Sequence, residues 1–130
     1  MRLRMELFVD DLDASVAFYV EALGFVVERR SPGYVSVRRG DVVLGLGPVS
    51  GLPALGDDGP GFSQERLAGR VRGLGVEIVF EVRDRAELRL LYEHCANAQV
   101  VVEELRERPW GLADFRVGDP DGYYIRITHT

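Results

Sequence analysis

The 130-residue sequence predicts an α+β fold in which one strand–helix–three-strand unit occurs twice. Two observations carry that reading. The first is a change of period: apolar residues alternate at every second position in residues 2–9 and 76–82, then switch to helical spacing behind an aspartate. The second is a self-match. Val9-Asp10-Asp11 aligns with Val82-Arg83-Asp84, and Tyr19 with Tyr92, at an offset of 73 residues. Gly40-Asp41 aligns with Gly118-Asp119 at 78, and residues 42–46 with 123–127 at 81, so the second copy carries a few inserted residues. Neither copy alone is long enough to bury a sheet, so the two are expected to associate.

Residues 2–9 read as a half-buried strand, with Leu3, Met5, Leu7 and Val9 on one face and Arg4, Glu6 and Phe8 on the other. Asp10-Asp11 supplies a helix N-cap, and Asp13 an acid favoured by the helix dipole. Leu12, Val16, Tyr19 and Leu23 form the apolar stripe, and Gly24 is the expected C′ residue. Strands follow at residues 25–29, 34–38 and 42–46, the last two joined by the turn Arg39-Gly40-Asp41. Residues 47–61, rich in Gly, Pro and Asp, read as a linker or mobile loop, and residues 63–72 as a short helix.

The second copy starts with the strand at 76–82. Asp84 opens a helix with Leu88, Leu91, Tyr92 and Cys95 on one face, and Cys95 reads there as a buried small hydrophobe. Strands at 100–103, 113–117 and 123–128 complete it. Asp119-Pro120-Asp121-Gly122 has type I turn chemistry between the last two. The expected organisation is one domain over residues 1–130: module 1 at 1–47, a linker at 48–73, and module 2 at 74–130.

Net charge −5 and a pI near 5.0 argue against a nucleic-acid partner. All 16 basic residues are arginine, which excludes a lysine Schiff base or lysine general base. A single cysteine makes neither an internal disulfide nor a cysteine metal site. No run is long enough to span a membrane and the first residues lack a signal-peptide core, so a cytoplasmic location is expected.

"VDDLDASVAFYVEALGF" (residues 9–25) and "PWGLADFRVGDPDGYYIRI" (residues 109–127) resemble the vicinal oxygen chelate superfamily of glyoxalases, extradiol dioxygenases and bleomycin-resistance proteins. The resemblance spans nearly the whole chain apart from residues 47–73. It implies two βαβββ modules whose curled mixed sheets surround a cavity, and a homodimer. It further implies that enzymatic members carry four metal ligands, usually His or Glu. One lies five residues before the Val of each V-x-D, and one in the last strand of each module. Here those positions hold Arg4, Gly45, Glu77 and Arg126.

Arginine has no lone pair to offer, glycine has no side chain, and one carboxylate does not hold a divalent ion. No metal site, catalytic residue or cofactor is therefore expected. His94 lies on a helix, and His129 has the opposite parity to Arg126. Arg126 is expected to pair with Glu77. With Arg4 they form either a satisfied ion-pair network or a charged ligand contact. Polar residues of the open faces, Glu6 among them, would orient a ligand or face solvent.

Trp110 is read either as a stacking surface for a planar ligand or as a core or dimer-interface residue. Phe8, Tyr34, Phe62 and Tyr124 are further ligand contacts, with Phe62 beside a segment able to act as a lid. The expected function is metal-free sequestration of a bulky aromatic compound, such as an antibiotic. The alternative is an enzyme of the same superfamily: a lyase, isomerase or dioxygenase-like protein. Without metal it would use Glu77 as base, a poor one beside a guanidinium that stabilises the anion.

Overall fold

In a computed structural model of the chain, residues 1, 3–54 and 61–130 are described. They form two compact units, Met1–Arg70 and Val71–Thr130.

The first unit runs β1 (Met5–Val9), α1 (Leu12–Ala17, continued by a π-helical turn Phe18–Ala22), β2 (Val26–Ser31), β3 (Tyr34–Arg39), β4 (Val42–Pro48) and the short α2 (Gln64–Leu67). Its open sheet has the order β1-β4-β3-β2, with β1 and β4 parallel and the other pairs antiparallel. The alternation in β1 works as expected: Leu7 and Val9 are buried, whereas Glu6 is exposed. Asp11 caps α1 by accepting from the Ala14 N–H at 3.0 Å. α1 packs on β3 and β4, and its Tyr19 is fully buried, edge-on to Phe18 and Phe25. Gly24 ends the helix at φ +69°, with its N–H on the Val20 carbonyl, as its C′ assignment requires.

The second unit repeats the plan: β5 (Glu77–Val82), α3 (Arg85–Asn97), β6 (Val101–Glu107), β7 (Ala113–Gly118) and β8 (Tyr124–His129), in the sheet order β5-β8-β7-β6. α3 covers the sheet through Leu88 and Cys95, both buried, so Cys95 is the small core residue the sequence suggested. Asp84 caps it through the Glu87 N–H at 2.8 Å. The β7–β8 turn closes with the Gly122 N–H on the Asp119 carbonyl at 3.1 Å.

Four expectations need correction. The strand expected over residues 2–9 starts only at Met5, and Leu3, expected on its buried face, precedes the strand and is exposed. The helix expected over 63–72 spans only Gln64–Leu67, because the backbone turns extended at Ala68 (ψ 129°) ahead of two helix-disfavouring glycines, Gly69 and Gly73. The strand expected at 100–103 runs from Val101 to Glu107, because two register shifts let it keep pairing with β7 as far as Glu107 and Ala113. Strand β4 continues to Pro48 and is followed by a 3₁₀ turn, Val49–Gly51, so the segment read as a loop starts later. The rest of that reading, at residues 55–60, and Arg2 of the first expected strand lie outside the described residues.

The two main helices end alike but with different residues. α3 closes in a Schellman motif, with the Val100 N–H on the Cys95 carbonyl and the Gln99 N–H on the Ala96 carbonyl. Gln99 sits there at φ +59°, where module 1 uses glycine. Gln99→Gly is therefore expected to raise stability by about 0.5–1 kcal/mol, because it relieves the left-handed backbone strain. A denaturant midpoint that falls instead would show that the glutamine side chain stabilises the turn.

Candidate functional site

In each unit the helix covers one sheet face and the polar residues sit on the other. In the first unit that face carries Glu6, Ser36 and Gly45, which are cross-strand neighbours. Arg4, just before β1, pairs with Glu6 at 2.8 Å and donates to the Tyr34 hydroxyl. The Tyr34 hydroxyl in turn donates to Glu6 at 3.3 Å. The bond to Tyr34, and next the Glu6 charge, raise the pKa of Arg4. A Cβ at Gly45 would overlap both the Glu6 carboxylate and the Tyr34 hydroxyl, so the space beside Gly45 is taken. Phe8 stacks at a tilt on Phe62, ring centroids 4.5 Å apart.

The second unit places Arg126 opposite Arg116, and Val79 beside Arg126, at the positions that Gly45, Ser36 and Glu6 occupy in the first. The larger side chains build an ion cluster. Glu77 takes Arg116 on one oxygen at 3.0 Å and Arg126 on the other at 3.3 Å, as its pairing with Arg126 predicted. Asp114, 0% exposed, receives Arg108 at 2.6 Å and Arg116 at 3.1 Å, with Arg126 at 3.7 Å. Glu103 takes Arg108 at 2.7 Å and Arg116 at 3.1 Å. The Tyr124 hydroxyl donates to Glu103 at 3.4 Å, and its ring lies 5.9 Å from the Arg116 guanidinium carbon.

Three carboxylates thus face three guanidinium groups, and the cluster is neutral. The hydrogen bond from Arg108 leads in holding the Glu103 carboxyl below the usual carboxylate range. Arg108 is raised, first by its bond to Asp114. For Arg116, burial works against the charge but is outweighed by the bond to Glu77 and by Asp114. Burial, then the Glu103 and Glu77 charges against the opposing Arg116, raise Tyr124, so it stays a phenol and a donor. Both Glu77 oxygens are thus engaged by guanidinium groups, one by Arg116 and one by Arg126.

A hollow of about 480 Å³ opens beside Glu77 and Tyr124. Its walls include Val71, Leu74 and Val76, which expose apolar surface. Trp110 lies in the turn between β6 and β7 and is 59% exposed, which excludes the core reading. Arg85 holds that turn by donating to the Gly111 carbonyl at 3.1 Å.

The positions matching the ligand set do not fit a metal. Arg4 and Arg126 are cations, Gly45 is hemmed in, and Glu77 is spent on two arginines. No group of three or more His, Cys, Asp or Glu among the described residues is arranged to hold one. His94 is exposed, and His129 accepts from the Ala113 N–H at 3.3 Å. No helix among the described residues is long and apolar enough to cross a membrane.

Sequence reasoning found Glu77, Arg126 and Tyr124, which the structure brings together, and Arg4 and Glu6, which form their own pair. It missed Glu103, Arg108, Asp114 and Arg116. The usable signal was parity in β7: Asp114 and Arg116 alternate with the buried Phe115 and Val117.

A family model described as Glyoxalase/Bleomycin resistance protein/Dioxygenase superfamily matches residues 3–127. No curated protein matches the chain. Among solved structures, a lactoylglutathione lyase from Agrobacterium tumefaciens is 23% identical, with 99% of this chain and 92% of that one covered at a TM-score of 0.74. A glyoxalase-related enzyme from Fulvimarina pelagi is 24% identical over 100% and 88%, also at 0.74. TioX from Micromonospora sp. ML1 is 21% identical over 99% and 98%, again at 0.74. At these identities the likeness shows the fold.

Proposed function

Because this chain belongs to the Glyoxalase/Bleomycin resistance protein/Dioxygenase superfamily, we propose that it uses that fold to bind a small aromatic compound without a metal and without turning it over. One observation carries the reading: an apolar hollow ends on charges that already neutralise one another. Apolar walls with few oriented polar groups suit ligand retention. Tyr124 would offer a ring face beside Glu77 and Arg116, and Glu77 with Arg126 would orient a polar edge. In the first unit, Phe8, Phe62, Arg4 and Glu6 would contribute in the same manner. The acting form is a homodimer, with Trp110 presented to ligand or to the partner copy from its exposed turn. Its place of action is the cytoplasm.

The test uses the single tryptophan. Purified protein is titrated with planar aromatic antibiotics while Trp110 fluorescence is followed, and each compound is then recovered for mass analysis. Saturable quenching with unchanged mass is the expected result. A change of mass would replace sequestration with catalysis, and no saturable response would remove Trp110 from the site.

A further inference from the structure

The charges around the hollow of the second unit cancel in pairs. Glu77, the acidic side chain in its wall, has Arg116 at 3.0 Å on one oxygen and Arg126 at 3.3 Å on the other. Arg72, the basic residue in the wall, pairs with Asp121 at 2.8 Å, and each of those two side chains is only 3% exposed. Tyr124 is the other polar side chain there, and its raised pKa keeps it an uncharged phenol at neutral pH. Arg106 also acts on Glu103, but it is exposed on β6, where water screens it.

A charged group that enters an apolar hollow gives up its water and needs a counter-charge that is not already spent. Both charged side chains of this wall are paired. A neutral hydrogen-bond donor still has a partner. A carboxylate has about four acceptor positions, and the two arginines approach one oxygen each. The Glu77 side chain is 35% exposed, so a donor can reach the lone pairs that are left.

We propose, on the premise that the hollow retains aromatic compounds, that it selects an uncharged aromatic with a hydroxyl or N–H donor at one end. The ring lies against Leu74, Val76 and Tyr124, and the donor goes to Glu77. The balance between Glu77 and its arginines sets the choice. Losing the acid leaves the cluster net positive, and losing Arg126 leaves it net negative.

The test uses naphthalenes that share one body: 2-naphthol, 2-methoxynaphthalene without the donor, 2-naphthoate and 2-naphthylmethylammonium. Each is titrated at neutral pH into the ¹⁵N-labelled full chain, and binding is read from the amide shifts of Leu74, Val76, Glu77 and Tyr124. 2-Naphthol is expected to bind tightest, and each ion about tenfold more weakly. Glu77→Gln should reverse the order in favour of the naphthoate, and Arg126→Gln in favour of the ammonium. The spectrum of each variant reports whether the fold is kept, and either variant alone decides the point. A uniform loss of affinity for all the compounds in a folded variant would overturn the proposal. Tightest binding of an ion to the unsubstituted chain, or equal binding of 2-naphthol and its methyl ether, would overturn it and leave the aromatic-binding reading in place. No saturable shift at the hollow with any of the compounds would overturn both.

Discussion

Replacing Asp114 by alanine is expected to destabilise the protein by about 3–5 kcal/mol, the usual result of removing one partner from a buried ion pair. The carboxylate is 0% exposed and takes two guanidinium groups within 3.1 Å. Without it, Arg108 and Arg116 keep only Glu103 and Glu77, and the cluster holds an excess positive charge with little water to screen it. For a chain of this size the melting temperature should fall by roughly 10–20 °C. Asp114→Asn keeps the acceptor shape without the charge and should cost less, about 1.5–3 kcal/mol. Denaturant unfolding of both variants separates charge from geometry. An alanine cost below about 1 kcal/mol would mean that the cluster behaves as a screened surface network. Acid should weaken the same cluster. Glu103 has a lowered pKa, so its stabilising contribution is complete above its unfolded value and is lost as pH falls through the lowered one.

The second large effect is expected at Arg72. Its side chain and that of Asp121 are each only 3% exposed, and they pair at 2.8 Å. The pair fastens the segment lining the hollow beside Glu77 to the β7–β8 turn. Arg72→Ala leaves a buried carboxylate and should cost about 3–5 kcal/mol, with a comparable loss for Asp121→Ala. The double variant should lose much less than the sum, because neither stranded charge remains; a double-mutant cycle measures that coupling. Additive losses would show that the two residues act separately. Arg72→Ala should also weaken aromatic-ligand binding, since the wall formed by Val71, Leu74 and Val76 loses its anchor.

The elements of both units were legible because their signals are local. The alternation in β1 and β5, the Asp11 and Asp84 caps, and Gly24 at positive φ each depend on a few neighbouring residues. The pairing of Glu77 with Arg126 was legible because the superfamily resemblance marked both as positions that converge on one site. The rest of the cluster was not. Asp114 and Arg116 join it through the register of β7 against β8, and Glu103 through the register of β6 against β7. Register is a long-range quantity, and two shifts in β6 hide it further. The early end of α2 turned on the backbone of Ala68, a residue with good helix propensity.

The crowding at Gly45 also constrains how this chain can change over generations. Glu6 and Tyr34 occupy the volume that any side chain at 45 would need. A substitution there meets a different molecule depending on what has already happened at positions 6 and 34. While both residues are intact, it arrives as a disruption of the Arg4–Glu6–Tyr34 arrangement. Shortening Glu6 alone still leaves the Tyr34 hydroxyl 2.5 Å from a Cβ at 45, so both groups must give way. The atoms in the way are the far ends of the Glu6 and Tyr34 side chains, so a residue at 45 displaces them and exchanges the Arg4–Glu6–Tyr34 contacts for its own. Over the same span, position 126 is free of that requirement, because its side chain already fills its space and pairs with Glu77.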